Sequence, residues 1–297
     1  MRLFTIQSLI FRFFPLFGER LFDNLIKKMQ NKSFSIRPEW RFEPAGKVPV
    51  VSDTLVPCLQ NGSIESVHGI MRILSSTEVE LEDGKILNVD AIIYCTGYRS
   101  DFSLLSPAYD PTSLPSTWLD APGSNGKSLF RLYHNIFSLS KPESLAFLGN
   151  VHVTLGGFHI FDMASMAITQ VWAGRSCLPS KPDMKNAVDR HDDWLAEMAQ
   201  RVYNVSPGQC DAGTWVTAMD DIAGTGVNEY LGYGWRGWLF WLKERRFCNL
   251  LMGGIWSPHI HRVFSGKRAA WEGARQAIEK VNERVAGTRK EAKEKAA

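Results

Sequence analysis

Apolar positions along this chain change period several times, and each change predicts an element. Leu3, Ile6, Ile10, Phe13, Phe14, Phe17 and Leu21 recur at helical spacing, so residues 1–26 read as one or two amphipathic helices. Residues 37–57 are proline-rich and read as an extended connector, with Trp40 and Phe42 as buried anchors. Residues 63–73 and 77–81 alternate like strands, and Glu82-Asp83-Gly84-Lys85 supplies the tight turn of a hairpin. A continuous apolar run follows at 89–94, the pattern of a strand covered on both faces.

Residues 105–128 lose periodicity and read as a surface excursion. Residues 144–150 predict a second short buried strand. Gly156-Gly157 then leads into residues 160–173, apolar nearly all round and therefore a buried helix. Met184, Val188, His191, Leu195, Met198 and Val202 mark one face of an amphipathic helix. Trp271, Ala274, Ile278, Val281 and Val285 mark the last one, before a charged tail expected to fray beyond Gly287.

Composition narrows the function classes. A net charge of +3 and the lack of basic clusters interleaved with aromatics argue against a nucleic-acid partner. Five scattered cysteines without a CxxC pair fit reduced thiols and a cytoplasmic protein better than a disulfide framework or a zinc site. Arg2, Arg12, Arg20 and Pro15 break up the first thirty residues, so neither a membrane span nor a secretion signal is expected there. That segment reads as a helical flap. A membrane-surface contact is the alternative, since basic residues flank bulky apolar ones.

Candidate motifs divide sharply. Gly232-Tyr233-Gly234-Trp235-Arg236-Gly237 is a literal GxGxxG, but no apolar strand precedes it and no ribose-binding acid follows, so it reads as a glycine-aromatic turn. His259-x-His261 has no third ligand at matching spacing, and no metal site is expected. His191-Asp192-Asp193 reads as a helix-surface cluster. Two strand-to-loop junctions carry more. Thr96-Gly97 ends the 89–94 run in a small hydroxyl residue and a residue without a side chain. Gly149-Asn150, followed by Gly156-Gly157 and a helix start, repeats that design, and a helix N-terminus favours anionic or carbonyl oxygen.

Three ordered blocks carry a family resemblance. Glu82-Asp83-Gly84 with the segment from Val89 through Thr96-Gly97-Tyr98 is the first. The second is Leu132-Tyr133-His134-Asn135-Ile136-Phe137, Lys141-Pro142 and Ala146-Phe147-Leu148-Gly149. The third is Trp256-Ser257-Pro258-His259-Ile260-His261-Arg262 with Trp271-Glu272-Gly273-Ala274-Arg275. Together they resemble the flavin-containing monooxygenases, in particular the fungal dimethylaniline monooxygenase-like group, over most of the chain. The resemblance implies FAD and NADP(H) as cofactors and transfer of one oxygen atom from dioxygen to a soft amine nitrogen or sulfide sulfur. It implies that Thr96-Gly97 lies where the chain crosses from the NADPH-binding into the FAD-binding region. It also places Gly149, with Asn150 beside it, next to the flavin. Cys95 departs from the family's usual Ala, and Thr169 stands about where many members carry Gln.

The family's FAD and nicotinamide glycine fingerprints do not occur in these 297 residues. The expected fold is therefore α/β: an incomplete two-dinucleotide-binding-domain flavoprotein fold, the carboxy-terminal part of the FAD domain with helical additions. Residues 1–58 are expected to end the NADPH-binding region, 59–180 to belong to the FAD-binding region, and 181–297 to form an aromatic-rich helical region. A flavin-dependent monooxygenase, present here as a fragment not expected to be active by itself, is the expected function. The alternatives are a non-catalytic interaction protein or the partner half of a split enzyme, with a second chain supplying the missing half.

Overall fold

The computed structural model describes residues 24–25, 28, 35, 37, 40, 52, 54–95, 100–153, 155–202 and 204–296. The helices expected over residues 1–26 and the Thr96-Gly97 junction lie essentially outside them. The chain divides into two units, Glu19–Leu104 and the segment Leu105–Ala297 with Met1–Gly18.

In the smaller unit a helix, α1 (Leu55–Gln60), precedes an antiparallel sheet of β1 (Ile70–Ile73), β2 (Glu78–Leu81) and β3 (Ile86–Asn88), in that order. The expected tight turn joins β2 to β3, with Glu80 opposite Ile86 and Gly84 at φ +82°. β2 alternates, burying Val79 and Leu81, as a central strand with one covered face must. Trp40 is buried as expected; Phe42 lies outside the described residues.

The strand expected over 89–94 does not form. Val89 N–H donates to the Thr77 carbonyl at 2.7 Å, and the chain then leaves the ladder. Ile93 and Tyr94 are 84% and 75% exposed. An internal strand needs a neighbour on each side, and among the described residues no strand pairs with this run.

The larger unit is mainly helical. Two short antiparallel pairs, β4 (Thr112–Ser113) with β5 (Leu129–Phe130) and β6 (Leu132–Tyr133) with β7 (Phe137–Ser138), open it. Between β4 and β5 lies α2 (Ser116–Leu119). After β7 come α3 (Gly157–Trp172), α4 (Lys181–Arg201), α5 (Ala212–Ala223), α6 (Val227–Leu231), α7 (Trp235–Lys243), α8 (Arg245–Gly253) and α9 (Ala274–Ala296). Local signals set these boundaries. Ser180 caps α4 by accepting from Asp183 N–H, and Asp211 caps α5 by accepting from Thr214 N–H. Gly232 closes α6 and Gly234 opens α7, so the GxGxxG is the expected turn.

Four expectations need correction. Residues 105–128 are packed structure: Trp118 is fully buried and its indole N–H donates to the Lys127 carbonyl at 2.5 Å. The strand expected over 144–150 is reduced to one bridge, Ala146 to Phe137, because β7 is only two residues long. α3 is buried on one side only; Phe158 is 90% exposed and Trp172 48%. α9 continues past Gly287 to Ala296, where a fraying tail was expected.

The main core joins Ile136, Phe137, Val151 and Val153 to the inner faces of α3 and α5. A second core gathers α6, α8, Ile260, Phe264 and Ile278. A third packs Trp118 and Leu129 on Leu195 and Ala199 of α4. Arg131 joins the β5–β6 region to α4, donating to Asp189 at 2.5 Å and to Asp192 at 2.7 Å. Asp192 is thus a buried ion-pair partner and not part of a surface cluster. Burial pushes its carboxyl up to about 6 against the opposing pull of Arg131.

Candidate functional site

The second predicted junction, Gly149 to Gly157, is fully on the larger unit and leads directly into α3. Its path alternates: Val151 and Val153 point into the main core, while Asn150 is half-buried and His152 exposed. A facing segment pins this extended stretch. His152 N–H donates to the Gly208 carbonyl at 2.8 Å, and Cys210 N–H returns to the His152 carbonyl at 3.0 Å. A side chain at Gly208 would collide with the Asn150 carbonyl, so only glycine permits this approach. Asn135 Nδ2 adds a bond to the Gly208 carbonyl at 3.1 Å.

The open side of the junction is lined by backbone. Gly149 adopts φ +105°, a conformation natural to glycine, and a Cβ there would meet open space. Gly156 is the N-cap of α3 in an ordinary extended conformation (φ −61°, ψ 128°), and it too faces open space. No side chain caps this end of α3. The positive end of a 16-residue helix is thus presented to solvent with Gly156 and Gly157 at its start, an arrangement that accepts a carbonyl or anionic oxygen. Gly149 and Asn150 precede this end of α3 by six or more residues, with Asn150 packed against Gly208; Thr96 and Gly97 lie outside the described residues.

Beside the same helix start lies a cleft of about 720 Å³ lined by Phe158, Asp162, Pro258, His259, Arg262, Arg268 and Trp271. The Pro258–Arg262 segment, which holds His259 and His261, is a 3₁₀ turn. Arg262 grips Asp162 with both terminal nitrogens, at 2.5 and 2.7 Å, fixing the turn to α3. Arg268 donates to the His261 carbonyl at 3.0 Å, and burial together with Arg262 lowers its pKa. Replacing Arg262 with Ala should cost about 1–2 kcal/mol, since it strands a partly buried carboxylate. Chemical denaturation of the two proteins reads this directly.

Behind the cleft His159 and His261 meet with Nε2 atoms 2.8 Å apart, both rings buried. Trp256 packs edge-on against His159. Neither Nδ1 has a hydrogen-bond partner among the described residues. Burial pushes His159 down to about 4, and burial, His159 and the two arginines push His261 well below its usual value. The pair is therefore neutral, one ring donating from Nε2–H to the other. No group of three metal-ligating side chains occurs among the described residues. Sequence reasoning missed this pair and the Asp162–Arg262 bridge because each joins residues about 100 positions apart. The third resemblance block, which holds His261 and Arg262, was the available signal.

A profile of the Flavin-binding monooxygenase-like family matches residues 17–296. The chain belongs to that family. It is similar to Monooxygenase aurF of Gibberella zeae, with 42% identity over 286 residues, 95% of this chain and 54% of that protein. Flavin-containing monooxygenase 5 of Homo sapiens is 24% identical over 263 residues, 87% of this chain and 44% of that protein. A 4-hydroxybenzoate brominase (decarboxylating) of Marinomonas mediterranea is 26% identical over 200 residues, 65% of this chain and 34% of that protein. The chain spans about half the length of the first two of these relatives.

The junction fits the ring end of a flavin, because glycine backbone and helix N–H groups leave room and donors for a flat carbonyl-bearing group. The phosphate end has no matching loop among the described residues. At the GxGxxG, Gly237 is buried, and a Cβ there would meet the Gly232 carbonyl.

Proposed function

We propose that this chain is the carboxy-terminal part of a flavin-dependent monooxygenase that uses FAD, NADPH and dioxygen to oxygenate a soft nitrogen or sulfur nucleophile. The observation that carries the reading is the uncapped start of α3, where a Cβ at Gly156 would meet open space, as it would at Gly149 earlier in the same junction. FAD, when bound, supplies the redox chemistry. The chain's own contribution is positional: α3 N–H groups orient a carbonyl of the cofactor ring, and Gly149 and Gly156 permit its approach. Phe158 and Trp271 wall the adjoining cleft, where an uncharged amine or sulfide would be shielded from water. Thr96-Gly97 belongs to the crossing between the two nucleotide-binding regions of an incomplete two-domain flavoprotein fold. On this reading residues 1–58 end the NADPH-binding region and 59–180 belong to the FAD-binding region.

In this reading a segment bearing the two glycine fingerprints, on this or on a separate polypeptide, completes the enzyme. The exposed run at residues 91–95, including Ile93 and Tyr94, supports such docking, because an unpaired apolar segment can accept a neighbouring strand. Mixing this chain with the amino-terminal half of the fungal relative should restore NADPH oxidation that neither polypeptide has alone. Stable association without NADPH oxidation would favour a non-catalytic interaction protein instead.

A further inference from the structure

One helix wears its apolar face outward. On α7 the side chains of Trp235, Trp238, Leu239 and Leu242 are 71%, 46%, 41% and 70% exposed. Their spacing, i, i+3, i+4 and i+7, is that of a single helical face. The opposite side is turned to the core: Phe240 and Trp241 pack on the second core, and the buried Gly237 lets the helix sit close on the Gly232 and Glu229 carbonyls. Tyr233, just before α7, extends the exposed stripe.

The sequence around the stripe carries a basic excess. Residues 235–246 hold Arg236, Lys243, Arg245 and Arg246 against Glu244, and Arg236 is paired with Glu229. Glu244 is engaged by Arg275 at 2.8 Å, and Arg245 lies over the Trp241 ring at 4.9 Å. Arg236 pairs with Glu229 and also lies over Trp235. A second copy of this chain docked on the face by a two-fold axis would set the cations of one rim against those of the other. An acidic surface meets the same rim without that repulsion. Tryptophans beside basic residues suit the boundary between water and acyl chains, where the rings sit at headgroup level.

We propose that α7 is an interfacial contact that lays its Trp235–Leu242 stripe into the surface of a bilayer rich in acidic phospholipid, with Lys243, Arg245 and Arg246 at the headgroups. No helix among the described residues is long and apolar enough to cross a membrane, so the contact is peripheral. The proposal stands on exposure and charge alone and is independent of the flavin reading.

Flotation of the whole chain with vesicles tests it. Phosphatidylserine-containing vesicles should carry the protein upward, and pure phosphatidylcholine vesicles should carry markedly less. Trp235→Ser with Leu242→Ser should lower the partition coefficient by about tenfold or more. Because both side chains are mostly exposed, thermal unfolding should stay unchanged. Lys243→Glu with Arg246→Glu should remove the preference for phosphatidylserine while leaving the apolar stripe intact. Equal flotation of parent and both variants would overturn the proposal and assign binding to another segment, residues 1–30 included. No flotation of the parent would overturn it as well, and self-association abolished by Trp235→Ser with Leu242→Ser would then assign the face to a second copy.

Discussion

Lowering the pH from about 7 to about 4.5 is expected to weaken the larger unit by about 3 kcal/mol through His159 alone, with His261 acting in the same direction. The folded protein holds His159 down to about 4, whereas the unfolded chain protonates it near the ordinary 6.5. Between those values the unfolded state binds more protons, so stability is fully present above 6.5 and is lost as the pH falls toward 4. The geometry explains the size. A proton added to the pair keeps the Nε2 contact but leaves both rings with a buried, unpartnered Nδ1–H. It also sits close to Arg262 and Arg268, with Asp162 as the opposing charge. His134, pushed down to about 4 by burial and His191, adds in the same direction. Asp192, pushed up to about 6, acts oppositely, so the pair must be isolated by comparison. His159→Leu with His261→Leu removes both polar partners together, which should be nearly neutral at about pH 7 and should flatten the acid limb by about 3 kcal/mol. Guanidinium unfolding of parent and double variant at both pH values gives the difference; identical acid limbs would show that the pair is not the sensor.

Replacing Gly156 with Leu should leave the fold intact and remove flavin affinity, by about 100-fold or more. Both halves of that statement come from the same residue. Gly156 has φ −61° and ψ 128°, which any L-residue adopts, and a Cβ there touches nothing. A branched side chain therefore costs the folded protein little but fills the space before the helix N-terminus. The equivalent change at Gly149 separates less cleanly, because φ +105° would strain any other residue and mix stability with binding.

Local patterns made much of this molecule legible. The β2–β3 turn, α3, α4 and the turn at residues 232–237 follow from signals a few residues long: Gly84, the Ser180 cap, the 3.6-residue period, and glycines at helix ends. The 89–94 run misled because an apolar stretch fixes a preference for burial but not the presence of a neighbour. Asn88 is the last residue paired with β2, Val89 reaches only the Thr77 carbonyl just before that strand, and Ile93 then stands exposed. Residues 105–128 misled in the other direction. Their composition is that of a loop, yet Trp118 fills a core completed by Leu195 and Ala199 from far along the chain. The site divides in the same way: Gly149 and Asn150 could be read from a strand-loop-helix pattern, whereas His159–His261 and Asp162–Arg262 exist only once α3 and the 3₁₀ turn are packed together.

The most direct test of the central claim, that the start of α3 receives the flavin ring, is an equilibrium titration of flavin fluorescence with the 297-residue chain and its Gly156→Leu variant. The parent should show saturable quenching, with FAD and FMN bound about equally because only the ring end is held. The variant should show none at the same concentrations, with thermal unfolding unchanged. Equal quenching by both proteins, or no saturable quenching by the parent, would contradict that claim.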